Sequence, residues 1–155
     1  MAEENDILNQ VQTVFKANLT TLKSTDPISN VEKIPNVKRI SVKFGFPAIG
    51  ILDSGENTDA GASVSLVTEI VIIAVYVKVL GDQEKCMDEA RKIVKNCITE
   101  LRKKEHYRTG GAFVGYSRAS CPKISEIKTV YTADNLNPVL LKLARIEFKK
   151  QEVQN

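Results

Sequence analysis

Few residues in this chain have the types and spacing that catalysis requires, and Cys121 with His106 is the first pair to consider. A thiol becomes an effective nucleophile when a base lies beside it, and His106 is the single histidine of the sequence. It belongs to the charged stretch "RKKEHYR", where cations near the end of a helix interact favourably with the helix dipole. We therefore interpret His106 as a helix-end residue, and we expect no catalytic residue, no cofactor and no enzymatic activity.

Glycine and cysteine patterns do not indicate a ligand site either. Gly110, Gly111 and Gly115 in "TGGAFVGYSR" lack the Gly-Lys-Ser/Thr ending of a phosphate-binding loop, so they predict a turn. Cys86 and Cys97 stand 11 residues apart in a helical pattern. That spacing corresponds to about 16 Å along the helix axis, beyond the reach of a disulfide. The sequence has no paired cysteine or histidine motif, and we predict no metal site.

Composition is that of an ordinary globular protein. The 155 residues include 22 Lys and Arg against 19 Asp and Glu, which leaves a net charge of +3. This balance is far from the basic excess of a protein that mainly neutralises phosphates. The length predicts a single domain over residues 1–155. The start "MAEENDILNQ" is acidic and then helical in pattern, not a signal peptide, which favours a cytoplasmic site of synthesis.

The periodicity of apolar residues predicts two helices and several strands. An amphipathic helix is expected from about 6 to 22, and a longer one, capped by Asp82, up to about residue 101. Alternation at Ile40, Val42 and Phe44 predicts a half-buried strand, whereas "DSGENTDAGAS" predicts a solvated loop or hairpin tip. "KISEIKTVY" and "NPVLLKLARIEFKKQEV" favour strands, the second with a bulge or bend, although a helix over 139–150 remains open.

The stretch "EIVIIAVYVKV", residues 69–79, contains eight consecutive apolar residues. A membrane-spanning helix needs roughly 20, so this stretch is too short to cross a bilayer. Its β-branched residues predict a strand that is apolar on both faces and must be covered on both, by its own chain or by another. Because a straight strand over 64–80 would exceed the domain, it must bend near residue 68 or project as one arm of a hairpin.

The order of these elements resembles the tail terminator and tail completion proteins of long-tailed bacteriophages. The similarity rests on "FPAIGILDSGENTD", "EIVIIAVYVKV", "GDQEKCMDEARKIVKNCITEL" and "LARIEFKK", and covers about residues 40–150. It implies an α+β fold, with a mixed, mostly antiparallel sheet, a long amphipathic helix packed on one face and an N-terminal helix. It also implies a hexameric virion ring that ends growth of the tail tube and joins tail to head. The implied partners are the tail tube protein, head-tail connector proteins and DNA passing through the lumen without sequence recognition, with no membrane.

The resemblance assigns roles to three groups of residues. The candidate subunit interface consists of Ile70, Ile72, Val75 and Val77. The candidate docking loop, within a flexible segment 53–62, consists of Asp53, Glu56 and Asp59. The candidate lumen-facing basic residues are Lys103, Lys104, Lys149 and Lys150.

Three other functions remain open from the sequence. Another neck or connector protein of the virion would share the same pattern. A small RNA-associated module would explain the mild basicity, but its strands should carry several aromatic residues among Arg and Lys. A thiol-dependent enzyme would require a reactive Cys121 with a low pKa.

Overall fold

A computed structural model of the chain describes residues 6–37, 45–60, 64–79, 81–131 and 138–153. These residues form an α+β fold, as the sequence predicted, in which helices pack on a mixed sheet. The predicted strand at Ile40, Val42 and Phe44 lies outside the described residues.

The described residues contain six strands of one sheet: β1 (Asn30–Lys33), β2 (Ala48–Ala60), β3 (Val64–Lys78), β4 (Ser120–Ile124), β5 (Lys128–Tyr131) and β6 (Pro138–Val153). Their order is β1-β2-β3-β6-β4, and β5 pairs with a different part of β6. β1 runs parallel to β2, whereas all the other pairs are antiparallel. The mostly antiparallel arrangement is therefore confirmed.

Helices cover one face of this sheet. They are α1 (Asp6–Ala17), α2 (Leu19–Leu22) and α3 (Gln83–Leu101), so the predicted N-terminal helix is present but interrupted at Asn18. Asp82 caps α3 as expected, accepting a hydrogen bond of 2.9 Å from the backbone N–H of Glu84. The apolar stripes of α1 and α3 pack on Val71, Ile73 and other residues of the strands to form the main core. We call this side of the sheet the helix face.

The opposite side, which we call the second face, has its own smaller apolar cluster. Ala74, Tyr76 and Leu141 are buried there, with Ile34 and Val130 packed against them. The hydroxyl of Tyr76 donates a hydrogen bond of 2.7 Å to the backbone oxygen of Val37. Both faces of β3 are therefore covered by apolar groups. The stretch at 69–79 is apolar at nearly every position because its alternate residues lie in two different apolar clusters.

The solvated loop predicted for residues 53–62 is wrong for residues 53–60, and residues 61 and 62 lie outside the described residues. β2 continues to Ala60 and pairs with β3 through Ala60↔Ser65, with one bulge between Asp53 and Gly55. Of the two alternatives for the strand over 64–80, the hairpin of its first part with the preceding segment is the one that the pairing supports. Residues that favour turns can form part of β2 because the hydrogen bonds to the adjacent strand outweigh their low strand propensity.

The last element is a strand, so a helix over 139–150 is excluded. The prediction for this strand was a bulge or a bend, and the bulge is wrong, because β6 pairs with β3 without a register shift from Val139 to Val153. The change of apolar phase has another cause. Leu141 packs on the second face, whereas Ile146 and Phe148 pack on the helix face. A strand covered on both faces can change phase without changing its backbone.

Candidate functional site

A basic surface lies where α3 ends. Lys103, Lys104, Arg108 and Arg118 line a shallow depression of about 400 Å³ together with the carboxylate of Glu105. Lys104, Arg108 and Arg118 are exposed to solvent, and Lys103 is partly exposed. Four cations and one carboxylate give this depression an excess positive charge, which attracts phosphate or carboxylate groups.

Backbone hydrogen bonds bring the cations together from two segments. The Nε of Arg118 donates to the backbone oxygen of Arg102 at 2.6 Å, and the Nε of Arg102 donates to the backbone oxygen of Ala119 at 3.0 Å. These two bonds fix residues 118–119 against the end of α3. Arg102 is also exposed, so it adds a fifth cation beside the depression.

The basic surface rests on a buried carboxylate, that of Glu100. This residue is 1% exposed, and its oxygens lie 2.8 Å from the Nζ of Lys103 and 2.7 Å from the Nε2 of His106. Burial alone would raise the pKa of Glu100, but the hydrogen bonds and charges of Lys103 and His106 outweigh it and lower the pKa. Glu100 is therefore a fixed negative charge that positions the segment after α3.

The turn that follows α3 is closely packed. A 3₁₀ helix spans Lys104–Tyr107, and Phe113 returns to it by donating a backbone hydrogen bond of 2.7 Å to the oxygen of His106. A Cβ added at Gly111 would lie 2.4 Å from that same oxygen. The glycine is therefore required by a close approach of two backbone segments.

Glu100, Glu105 and His106 place their ligand atoms within 4.8 Å of one another. Carboxylate and imidazole groups are ligands that zinc accepts. In this structure, however, the Lys103 ammonium already lies against the Glu100 carboxylate. The arrangement is therefore that of a charge network which stabilises the basic surface.

Only part of the predicted basic group belongs to this surface. Lys103 and Lys104 line it, whereas the ammonium of Lys150 lies 5.3 Å from the ring centroid of Tyr116. The Tyr116 hydroxyl in turn donates to the Glu69 carboxylate. Lys149 is exposed, and its backbone oxygen accepts a bond of 2.7 Å from the N–H of Ser117.

Sequence reasoning missed Arg108 and Arg118. Arg108 ends the stretch "RKKEHYR" at the end of the predicted helix but was not assigned to a basic surface, and Arg118 follows 10 residues later, beyond a glycine-rich turn. The number of Lys and Arg residues between positions 102 and 118 was the only indication in the sequence. That number does not show whether the charges share one surface or are scattered.

The predicted interface residues divide between the two faces of β3. Val75 and Val77 lie in the main core on the helix face, where they are 0% and 4% exposed and pack against residues of their own chain; their place in a subunit interface stays a prediction. Ile70 and Ile72 lie on the second face, where Ile70 is buried and Ile72 is partly exposed. The strict alternation of a strand separates these pairs, which the uniformly apolar sequence concealed.

The predicted docking residues are strand residues. Asp53, Glu56 and Asp59 all lie within β2, and Asp53 is exposed beside the bulge. The exposure that the acidic residues predicted is present at Asp53. The loop conformation is not, because β2 pairs with β3 in this region.

Cys121 and His106 have separate partners. The Cys121 thiol donates to the backbone oxygen of Lys123 at 3.6 Å, whereas His106 contacts Glu100. Burial raises the pKa of the Cys121 thiol, although the bond to Lys123 and the charge of Arg102 act against this. An activated nucleophilic thiol has a lowered pKa and a base beside it, and Cys121 has a raised pKa and a backbone oxygen as its partner. Cys86 and Cys97 are buried in the main core, as predicted.

No protein-family model matches this chain, and no curated protein matches it at a significant level. Within the part of the chain that the structure describes, no helix is long and apolar enough to cross a membrane.

Proposed function

We propose that this chain is a structural virion protein that forms a ring, of six copies by the family resemblance, at the head-proximal end of a phage tail tube. In this role it ends tube growth and joins the tail to the head. The observation that carries the proposal is a three-stranded arm, formed by residues 55–60, 64–68 and 149–153, whose outer strands pair with no further strand among the described residues at 55–60 and 151–153.

The arm extends beyond the helices. β3 has 15 residues, which corresponds to about 50 Å, whereas α3 with 19 residues is about 28 Å long. The last pairs of the arm are Ala60↔Ser65 and Val64↔Val153. A projecting set of three paired strands is long enough to reach an adjacent subunit.

Both outer edges of the arm lack a strand partner among the described residues. Among the described residues, β1 pairs with β2 only as far as Ile51, so residues 55–60 of β2 have no strand on that side within the part of the chain that the structure describes. β4 pairs with β6 only as far as Glu147, and residues 151–153 of β6 likewise have no strand on that side in the described part of the chain. Open edges carry unpaired N–H and C=O groups that can bind a further strand. In a ring, each subunit can supply that strand to its neighbour.

The second face offers apolar surface next to the arm. Leu52 and Ile72 pair across β2 and β3, and both are partly exposed. Arg145 and Glu147 follow on β6 and form an ion pair of 3.4 Å. Apolar groups beside an ion pair are typical of the core and rim of a protein interface.

The basic surface suits a ring through which DNA passes. Its exposed Arg and Lys side chains can contact phosphates without reading bases. This supports the DNA contact that the resemblance implies. A different neck or connector position in the virion would use the same arm and the same surface.

The first test is the mass of the purified protein by light scattering over a concentration series, with negative-stain imaging of large species. A closed species of six 17.2 kDa chains with a central hole would support the proposal. Addition of tail tubes of the cognate phage tests a ring that forms only on a tube end. A chain that stays monomeric alone and does not cap tubes would contradict the proposal.

A second candidate function, a small nucleic-acid-binding module, is favoured by the basic surface. Its test is the affinity for duplex DNA and RNA as a function of salt. A monomer whose binding weakens steeply with salt, and in which Arg108→Glu with Arg118→Glu abolishes binding, would favour this module over the ring. Arg91→Glu is the matched control, because Arg91 is exposed but pairs with Asp88 on another part of α3.

A further inference from the structure

A cleft of about 340 Å³ lies on the helix face, remote in the fold from the basic surface. Its walls come from residues 24–26, from Phe46 and Pro47 before β2, from the end of β3, and from residues 85–92 in the first half of α3. The volume is at the lower end of the range for ligand sites, so it suits one side chain or a small metabolite.

The cleft contains a largely buried acidic residue, Glu89, whose carboxylate opens into it. Glu89 is 9% exposed, yet among the described residues no donor hydrogen-bonds to it and no cation lies within ion-pair distance. Its carboxylate oxygens contact solvent within the cleft, so a cationic ligand that enters the cleft would find them accessible. Burial, followed by the negative charge of Asp26, raises the pKa of Glu89.

Other charged groups of the cleft do not neutralise Glu89. Lys85 and Lys92 are exposed and Lys78 is partly exposed, and none forms an ion pair with the Glu89 carboxylate. Asp88 is engaged by Arg91 at 2.9 Å. The lysines therefore stand at the rim, and the deepest charge in the cleft is negative.

Apolar groups line the remainder of the cleft. Phe46, Pro47, Val77 and Cys86 contribute to its lining, next to the carboxylates of Glu89 and Asp26. This combination fits a ligand with an apolar stem and a cationic end. A guanidinium fits better than an ammonium, because its planar set of donors can serve two carboxylates and it is less strongly hydrated.

We infer that this cleft binds the guanidinium of an arginine side chain, with the stem against Phe46 and Val77 and the charge against Glu89 and Asp26. The inference stands independently of the proposed ring. Its ligand is either an arginine on a segment of a partner protein or a free alkylguanidine, since both present the same chemistry.

The test follows backbone amide NMR shifts of the full chain during titration with N-acetyl-arginine-amide. Saturable shifts are expected at residues 24–26 and 85–89. The citrulline analogue, which has the same shape without charge, is expected to bind at least about tenfold more weakly. Equal binding of the two probes, or shifts confined to other parts of the chain, would overturn the inference.

Variants identify the carboxylate. Glu89→Gln is expected to weaken binding at least about tenfold, whereas Glu84→Gln, which removes the same charge from an exposed position of α3, leaves it unchanged. Asp26→Asn is the second variant, because Asp26 is exposed and its replacement leaves the core intact. Unchanged affinity in both Glu89→Gln and Asp26→Asn would refute the assignment.

Two further probes complete the experiment. A pentapeptide with one central arginine that binds tighter than the capped amino acid indicates a partner protein, whereas equal affinity indicates a free alkylguanidine, and either result supports the cleft. If inorganic phosphate produces the saturable shifts and the arginine probe does not, the rim lysines bind an anion and the inference is wrong.

Discussion

Replacement of Glu100 by Gln tests the charge network beneath the basic surface. The carboxylate is 1% exposed, forms an ion pair with Lys103 at 2.8 Å and hydrogen-bonds to His106 at 2.7 Å. Hydrogen bonds to charged groups contribute roughly 1.5–3 kcal/mol each, so two bonds set an upper limit of about 6 kcal/mol. Lys103 is 38% exposed and can return to water, and the Gln amide retains a weaker bond. We therefore expect a net loss of about 2 kcal/mol.

Urea unfolding at pH 7, followed by circular dichroism, measures this loss. With a slope of about 2 kcal/mol per molar urea, typical of small proteins, the midpoint should fall by about 1 M. Glu105→Gln is the matched control, since Glu105 is the exposed carboxylate next to the same network, and its replacement should change stability by less than about 0.5 kcal/mol. Equal stability of Glu100→Gln and the unchanged protein would refute the reasoning.

The pH dependence gives an independent check. Because the folded pKa of Glu100 is lowered, its contribution is present above the unfolded pKa of about 4.3 and is lost as the pH falls through the folded pKa. The stability difference between Glu100→Gln and the unchanged protein should therefore shrink in acid. A difference that persists unchanged in strong acid would show that Gln perturbs packing instead of removing a charge interaction.

Three further predictions concern other parts of the fold. Val75→Lys buries a charge in the main core and should abolish folding, whereas Ile72→Lys on the second face should leave a folded chain that no longer assembles. Circular dichroism measures folding and light scattering measures assembly, and a folded Val75→Lys variant would contradict the core assignment. Glu89→Gln should raise the urea midpoint at neutral pH, by less than about 1 kcal/mol of unfolding free energy because solvent screens the charge. Because the folded pKa of Glu89 is raised, the stability of the unchanged protein falls as the pH rises above about 4.3, so the stability gained by Glu89→Gln should vanish in acid. Glu84→Gln is the control, and a lower stability of Glu89→Gln at neutral pH would contradict the prediction. Gly111→Ala should cost about 1–3 kcal/mol in the same assay, because the new Cβ meets a backbone oxygen at 2.4 Å; an unchanged midpoint would show that this turn relaxes freely.

Local pattern in the sequence was sufficient for the elements that depend on local chemistry. The apolar stripe of α3 and its cap at Asp82 could be read directly, because a helix repeats every 3.6 residues and its first turn needs an acceptor. The composition of 69–79 likewise indicated a strand covered on both faces. Both follow from short-range spacing alone.

The tertiary structure decided the rest, because it depends on contacts between residues distant in the chain. Pairing with β3 made a strand of the acidic segment that includes Asp53, and strand alternation placed Val75 and Ile72 on opposite faces. Arg118 joins Lys103 only because residues 118–119 bond to the end of α3. Glu89 and Asp26 likewise line the same cleft only because α3 packs beside the segment before β1. Sequence spacing carries no information about such distances, since long-range packing alone sets them.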